Sequence, residues 1–277
     1  MTGKELLAWG ENILSENGVE DYRLDAWYLL EFVTGFSRAE FFLRQTDMLH
    51  EDMEEEYRKL INDRAERIPL QHLTGRQEFM GFLFEVNKDV LIPRQDTECL
   101  VEEVLSRCGG LKILDLCTGS GCIGISVDLL GDALQVDGID ISAAALETAK
   151  RNASRLHSGI RLWQSDMFSS VDEKYGIIVS NPPYIPVETI KTLMPEVSVH
   201  EPFMALAGGD DGLRFYRYIA EESPNYLENG GLIFLEIGCE QGEAVKKLLE
   251  CHGFSDVDIK QDLTGRDRIV TGVFGNC

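Results

Sequence analysis

From residue 111 to the end of the chain, short apolar runs alternate with segments of helical periodicity. Short apolar runs bounded by Gly and polar residues are typical of buried strands. Strands joined through helices pair in parallel, so the pattern predicts an α/β fold with a mainly parallel, doubly wound sheet. The predicted strands are 111–116, 135–139, 160–164, 177–180 and 231–237, with a terminal antiparallel pair at 257–261 and 268–274, and the predicted helices are 123–130, 143–155, 212–226 and 242–251.

The first part of the chain has a different pattern. Apolar residues recur at helical spacing in 4–17 and 21–34, Ser37 can cap a short helix, and a highly charged helix is predicted over 51–68. Such a series of short helices is typical of a small bundle with its own core. We therefore assign residues 1–74 to a helical domain.

Between these parts, apolar residues alternate on both sides of Asn87-Lys88-Asp89. Alternation around turn-forming residues predicts a β-hairpin with its turn at 87–89. We assign 75–95 to this hairpin connection and 96–277 to the α/β domain, with Thr97 as a possible cap of a helix that runs to Leu105.

Composition excludes several classes of protein. The net charge is −22, from 26 basic and 48 acidic residues, which argues against broad binding to a nucleic-acid backbone. The seven cysteines are scattered without a CxxC pair, so no zinc or other metal site is expected. No apolar run is long enough to span a bilayer and the first residues do not resemble a signal peptide, so we expect a cytoplasmic protein.

The tetrapeptide Asn181-Pro182-Pro183-Tyr184 directly follows the predicted strand 177–180. Proline fixes φ and lacks an N–H, so the backbone must leave the sheet at Asn181. The carboxyl end of a strand in an open α/β sheet is where ligands bind. The amide of Asn181 and the ring of Tyr184 could hydrogen-bond and stack on a planar amide or base-like group, although a merely structural turn gives the same pattern.

The first predicted strand ends in a loop of small residues, 115–124. Such a loop between a strand and a helix lets a ligand approach the backbone closely. Gly119, Gly121 and Gly124 have the G-x-G-x-x-G spacing of dinucleotide folds, so a nicotinamide-dependent enzyme is one alternative and a tight structural turn is another.

Two acidic residues follow the next strands. Asp140 ends the second strand, where a carboxylate can accept the two ribose hydroxyls of an adenosine ligand, while Ser142 is better placed to cap the helix that follows. Asp166 follows the third strand and could hydrogen-bond an adenine amino group, with Met167 or Phe168 packing on the ring. A loop acid beside a core Phe would give the same pattern.

Taken in this order, the loop, Asp140, Asp166 and Asn181-Pro182-Pro183-Tyr184 resemble the class I (Rossmann-like) S-adenosylmethionine-dependent methyltransferases. Four further stretches narrow the resemblance to the PrmC/HemK family, the peptide chain release factor glutamine N5-methyltransferases. These stretches are 69–75 (PLQHLTG), 90–98 (VLIPRQDTE), 201–206 (EPFMAL) and 235–238 (LEIG), and the likeness covers nearly the whole chain.

The resemblance implies an enzyme that uses S-adenosyl-L-methionine to methylate the glutamine of the Gly-Gly-Gln motif in class 1 release factors. It implies that Asn181, Pro182 and Tyr184 are catalytic and that these residues and Pro183 bind the substrate. The helical domain would help to hold the release factor, and a monomer that binds no nucleic acid or membrane is expected. The implied cofactor contacts are Cys117, Thr118, Gly119, Ser120, Gly121, Asp140, Ile141, Asp166, Met167, Phe168 and Asn181.

The chain departs from the family pattern at a few positions. Cys117 stands where the family usually has Gly, so we do not expect a positive φ there. Met167 stands where many members have an aromatic residue, and Gln95-Asp96 replaces the more usual Pro-Glu.

Three other functions are compatible with the same residues. They are glutamine methylation of a ribosomal protein, N-methylation of a nucleic-acid base that is flipped into the pocket, and binding of S-adenosylmethionine or a partner without catalysis. The negative charge counts against the nucleic-acid hypothesis, and the intact tetrapeptide counts against a silent binding module.

Overall fold

The computed structural model describes residues 1–275. The first part of the chain contains five helices and a hairpin, namely α1 (Gly3–Glu16), α2 (Tyr22–Thr34), α3 (Arg38–Arg44), α4 (Glu51–Ala65), α5 (Leu70–Thr74), β1 (Arg76–Phe79) and β2 (Phe82–Glu85). The middle part contains α6 (Gln95–Leu105), β3 (Lys112–Leu116), α7 (Cys122–Leu130), β4 (Gln135–Asp140), α8 (Ala143–Leu156), β5 (Arg161–Gln164) and β6 (Tyr175–Ser180). The last part contains α9 (Val187–Ile190), α10 (Pro195–Ser198), α11 (Phe203–Leu206), α12 (Arg214–Glu222), β7 (Leu227–Glu236), α13 (Gly242–Cys251), β8 (Phe254–Gln261) and β9 (Asp267–Phe274).

Contacts between residues divide the chain into two compact units. The helical unit comprises Met1–Gly75 and Met194–His200, and the α/β unit comprises Arg76–Leu193 and the residues from Glu201 onward. None of the helices within residues 1–275 is both long enough and apolar enough to cross a membrane.

The helical unit forms where the sequence places caps and apolar faces. Thr2 and Ser37 begin α1 and α3 with capping boxes, and Gly35 ends α2 in the left-handed conformation. The buried faces of α1, α2 and α4 share one core, in which the Tyr57 hydroxyl donates to the carbonyl of Ala26 at 3.1 Å.

The segment Met194–His200 joins this unit through one carboxylate. Glu196 accepts from Arg64 at 2.8 Å and from Arg67 at 2.7 Å, and Arg64 also donates to Asp25 at 2.7 Å. These side chains are largely buried, so the charges are paired away from water.

The α/β unit contains a seven-stranded sheet in the order β5-β4-β3-β6-β7-β9-β8. Strands β3 to β7 run parallel, while β9 is antiparallel to both of its neighbours. The mainly parallel sheet with a terminal antiparallel pair is therefore confirmed. Strands β4 and β5 lie on one side of β3, and β6 and the later strands lie on its other side. In open α/β sheets, ligands bind in the crevice at such a switch point.

The predicted hairpin turn at 87–89 is wrong. The hairpin is formed by β1 and β2, and its turn is Met80-Gly81, where both residues have positive φ. Asn87 does make a turn, since its side-chain oxygen accepts from the N–H of Asp89 at 2.8 Å, but no strand pairs across it.

The predicted cap at Thr97 is also wrong. Helix α6 begins at Gln95 after Arg94, so Thr97 lies within its first turn. The Thr97 hydroxyl instead faces the side chain of Asn181.

Candidate active site

A cavity of about 440 Å³ lies at the carboxyl ends of β3, β4, β5 and β6. Its volume is within the range of small-molecule sites in enzymes. Ten of the predicted site residues line it, namely Cys117, Thr118, Gly119, Ser120, Asp140, Ile141, Asp166, Met167, Asn181 and Pro183. The sheet thus brings together the loop, both acids and two residues of the tetrapeptide, which are far apart in sequence. The predicted site residues that do not line this cavity are Gly121, Phe168, Pro182 and Tyr184.

The side chain of Asp115 fixes the loop after β3 through hydrogen bonds. Its buried carboxylate accepts from the Thr118 hydroxyl at 2.5 Å and from the N–H of Gly124 at 2.9 Å. Burial raises the pKa of Asp115 to about 6, against the effect of these hydrogen bonds. Asp115 therefore shapes the loop from within the core rather than contacting a ligand.

The expectation that Cys117 does not adopt a positive φ is wrong. Cys117 has φ of +64°, and Gly119 and Gly121 are also left-handed. The turn from β3 into α7 takes this backbone path even with a side chain at position 117, and a non-Gly residue there costs about 1 kcal/mol or more. The Cys117 thiol lies 3.9 Å from the Met167 sulfur, so the two side chains contact each other beside the cavity.

Asp140 connects two backbone segments at the cavity wall. One carboxylate oxygen accepts from the N–H of Gly119 at 2.9 Å, and the other accepts from the N–H of Ser142 at 2.8 Å. Burial raises its pKa, and these hydrogen bonds oppose the rise. Ser142 caps α8 as predicted, by accepting from the N–H of Ala145 at 3.1 Å. Each Asp140 oxygen keeps a lone pair for a ligand hydroxyl.

The segment after β5 places its three predicted residues differently. Asp166 and Met167 line the cavity, and Met167 has φ of +47°. Phe168 turns away into the core, where its ring stacks on Tyr226 with 4.6 Å between centroids and 7° between planes. The Phe168 ring is therefore part of the core, whereas Met167 lies on the cavity wall.

Asn181 leaves the sheet at the end of β6, a strand that is buried along its whole length. The strand end is fixed because the Ser180 hydroxyl donates to the carbonyl of Leu116 at 2.6 Å. The Asn181 side-chain nitrogen donates to the Thr97 hydroxyl oxygen at 3.4 Å. Both prolines are buried, and Asn181 and Pro183 line the cavity, whereas Pro182 does not.

Tyr184 lies behind the cavity wall and is held by its surroundings. Its carbonyl accepts from the side chain of Gln241 at 3.0 Å, and its hydroxyl lies 3.5 Å from the carboxylate of Glu236. Gly208 and Gly212 pack against its backbone so closely that a Cβ would lie 2.7 Å from the Tyr184 Cα and 2.4 Å from its oxygen, respectively. The tetrapeptide is thus a rigid turn.

The structure adds residues that motif reasoning did not assign to the site. Thr97 and Arg94 line the cavity, and Arg94 pairs with the buried Glu201 at 2.6 Å. Glu236 lies buried beside Tyr184. Arg94, Thr97, Glu201 and Glu236 all lie in the stretches that carry the family resemblance. Those stretches pointed to the family but did not assign a role to any of the four side chains.

Comparison with known proteins relates the chain to a family. Two family models match the chain, the PrmC N-terminal domain over residues 5–75 and the methyltransferase small domain over residues 95–201. The release factor glutamine methyltransferase of Geobacter sulfurreducens is 40% identical over 276 residues, which is 99% of this chain and 97% of that protein. The chain belongs to the release factor glutamine methyltransferase family.

A second member, from Agrobacterium fabrum, is 40% identical over 269 residues, which covers 93% of this chain and 92% of that protein. Among solved structures, a methyltransferase from Pyrococcus furiosus matches with a TM-score of 0.56 at 20% identity, covering 69% of this chain and 88% of that one. This likeness concerns the fold, and it confirms the predicted class I methyltransferase architecture. Membership of the family also favours a methyltransferase over a nicotinamide-dependent enzyme.

Proposed function

We propose that this chain transfers the methyl group of S-adenosyl-L-methionine to the side-chain amide nitrogen, N5, of the glutamine in the Gly-Gly-Gln motif of class 1 release factors. The observation that carries the proposal is the position of Asn181. Its amide lies on the wall of the same cavity as Asp140, in a chain that is 40% identical to a release factor glutamine methyltransferase over nearly its full length.

The cavity residues suit the cofactor by their chemistry. The carboxylate of Asp140 suits the ribose hydroxyls, and Asp166 with Met167 suits the adenine. The backbone N–H groups at the start of α7, where Gly121 supplies no side-chain cap, suit the carboxylate of the methionine part. When bound, the cofactor supplies a methyl group on a positively charged sulfur.

The protein must align a poor nucleophile. The lone pair of a glutamine nitrogen is delocalised into its carbonyl, so the nitrogen attacks only from a favourable direction. The Asn181 side-chain oxygen and the Pro182 carbonyl are proposed to accept the two N–H groups of the substrate amide. They would direct the nitrogen towards the methyl group and stabilise the positive charge that develops on it. Stacking of Tyr184 on the substrate stays a prediction, since its ring lies behind the wall.

The proposal includes a role for each part of the chain. The helical domain, 1–74, would hold the release factor, the hairpin connection, 75–95, would join it to the rest, and 96–277 would carry the methyl transfer. The protein is proposed to act as a monomer in the cytoplasm, where release factors work, and to bind its partner as a protein rather than through nucleic acid.

The substrate is tested by incubating the full chain with labelled S-adenosylmethionine and, in separate reactions, a class 1 release factor, ribosomal proteins and DNA. We expect label only on the release factor, and mass mapping should place it on the glutamine of the Gly-Gly-Gln motif. Label on a ribosomal protein or on DNA alone would refute the proposed substrate.

The role of Asn181 is tested by Asn181→Ala. We expect kcat to fall by at least about a hundredfold because the substrate nitrogen loses its main acceptor. Calorimetry should show cofactor affinity within about threefold of the wild type, since the contacts of Asp140 are unchanged. Wild-type turnover in this variant would show that Asn181 is not the aligning residue.

A further inference from the structure

A buried carboxyl group lies beside the proposed acceptor site and has no role in the mechanism above. Glu236 ends β7 and is only 2% exposed. One of its oxygens lies 3.5 Å from the Tyr184 hydroxyl, while the other has no hydrogen-bond partner within residues 1–275. A buried carboxyl oxygen without a hydrogen-bond partner destabilises the folded state, and such groups cluster at functional sites.

Thr97 lies between this carboxyl and Asn181. Its side chain is almost fully buried, and its hydroxyl oxygen lies 3.4 Å from the Asn181 side-chain nitrogen. The same hydroxyl is near enough to Glu236 to lower the pKa of that carboxyl. Burial raises the pKa of Glu236 to about 7, and the Thr97 hydroxyl, Arg268 and the Tyr184 hydroxyl oppose the rise. The carboxylate form of Glu236 therefore attracts the single proton of the Thr97 hydroxyl.

A hydroxyl that donates its one hydrogen bond to a carboxylate can only accept hydrogen bonds from its other neighbours. Thr97 must then accept a hydrogen bond from Asn181, and only the NH₂ group of the Asn181 amide can donate one. The other end, the carbonyl oxygen, is left facing the cavity. The two ends of an Asn amide have nearly the same shape, so packing alone does not select between them.

We propose that Glu236, acting through Thr97, fixes the Asn181 amide with its carbonyl oxygen towards the substrate nitrogen. Both are positioning residues, and the inference rests on the proposed function. With the amide reversed, its NH₂ group would meet the N–H groups of the substrate glutamine, donor against donor. Towards the substrate, Asn181 thus acts only as an acceptor, because its NH₂ group donates to Thr97.

The direction of this chain depends on protonation. A protonated Glu236 can donate to Thr97, which then can donate to Asn181 and favour the reversed amide. The groups around Glu236 that also set its charge are Asp96 on α6, Cys122 on α7, Tyr184, Tyr216 on α12 and Arg268 on β9. We therefore expect kcat to rise with pH as Glu236 loses its proton.

The experiment measures methyl transfer to a class 1 release factor by the full chain. Thr97→Val keeps the shape and removes the hydroxyl, so we expect kcat to fall at least tenfold while cofactor affinity by calorimetry stays within twofold. Thr97→Ser restores the hydroxyl and should recover kcat to within threefold of the wild type. Glu236→Gln should remove the rise of kcat with pH that the wild type shows.

The chain contains a matched control for loss of a buried hydroxyl. Thr148 is fully buried and accepts from the side-chain nitrogen of Asn87 at 2.9 Å, outside the site. Thr148→Val should therefore keep wild-type kcat, and its stability in urea shows what such a loss costs the fold.

The outcomes separate the two proposals. If the wild type methylates no release factor, both the proposed function and this inference are overturned. If the wild type is active and Thr97→Val retains its kcat, or Thr97→Ser is impaired as strongly as Thr97→Val, only the orienting role is overturned. An unchanged pH profile in Glu236→Gln would remove Glu236 from that role.

Discussion

Replacing Gly212 by Ala tests whether the position of the acceptor turn limits the reaction. A Cβ at Gly212 would lie 2.4 Å from the Tyr184 carbonyl oxygen and 2.6 Å from the Gln241 side-chain nitrogen, whereas real Cβ contacts essentially never fall below 3.0 Å. The backbones at Gly212 and Tyr184 must therefore move apart by at least about 0.6 Å. A displacement of about 1 Å in an aligned site costs about a hundredfold in rate.

We expect Gly212→Ala to lower kcat between about tenfold and a hundredfold for this reason. Initial rates with labelled S-adenosylmethionine and a release factor measure kcat. Calorimetry should show unchanged cofactor affinity, because Gly212 is not among the residues that line the cavity within residues 1–275. Stability in urea should also fall, by about 1–2 kcal/mol from the backbone alone, since Gly212 has φ of +75°.

Two controls separate the steric effect from backbone strain. Gly230 has φ of +80°, and a Cβ added there would meet no atom within 4 Å, so Gly230→Ala should lose similar stability but keep wild-type kcat. Gly208 does not have a positive φ, yet its Cβ would lie 2.7 Å from the Tyr184 Cα, so Gly208→Ala should lower kcat. Wild-type kcat in Gly212→Ala, or an equal loss in Gly230→Ala, would refute the reasoning.

Three further changes have expected outcomes. Asp140→Asn sets an amide N–H against a backbone N–H and should weaken cofactor binding at least about tenfold by calorimetry, and unchanged affinity would contradict the assignment. Glu196→Gln removes a charge that Arg64 needs and should cost about 2 kcal/mol in urea denaturation, whereas Glu188→Gln, at an exposed pair, should cost under about 0.5 kcal/mol. Burial raises the pKa of Glu236 from 4.5 to about 7, so the folded state holds this proton more tightly than the unfolded chain does. The free energy of unfolding should therefore fall by about 1–3 kcal/mol as pH rises from 4.5 to 7, and it should fall less in Glu236→Gln.

Most of the sheet was predictable because each strand and helix has its own local period. The apolar runs that predicted β3, β4 and β6 fall on the observed strands, and the residues that follow them meet at one edge because parallel strands end together. The cavity could thus be located from sequence. The side chains that support it from neighbouring elements could not, since no periodicity relates Thr97 to Asn181 or Glu236 to Tyr184.

Two of the wrong predictions, the hairpin turn and the φ of Cys117, share one physical cause. Met80 and Cys117 have φ of +52° and +64°, a conformation that residues with a Cβ rarely adopt, so sequence rules placed no left-handed turn at either position. Asn87 offered a better turn residue than Met80, yet pairing of β1 with β2 over Arg76–Glu85 decided where the hairpin lies. Tertiary contacts overrode local preference in these cases.

The place of Met194–His200 in the helical unit has a consequence for synthesis of the protein. Residues 1–75 leave the ribosome before Met194–His200, so Arg64 and Asp25 are present while Glu196 is still to be made. Until Glu196 arrives, Arg64 and Arg67 lack a carboxylate that both contact, and the bundle is incomplete. The helical unit is therefore completed only after more than half of the α/β unit has been translated.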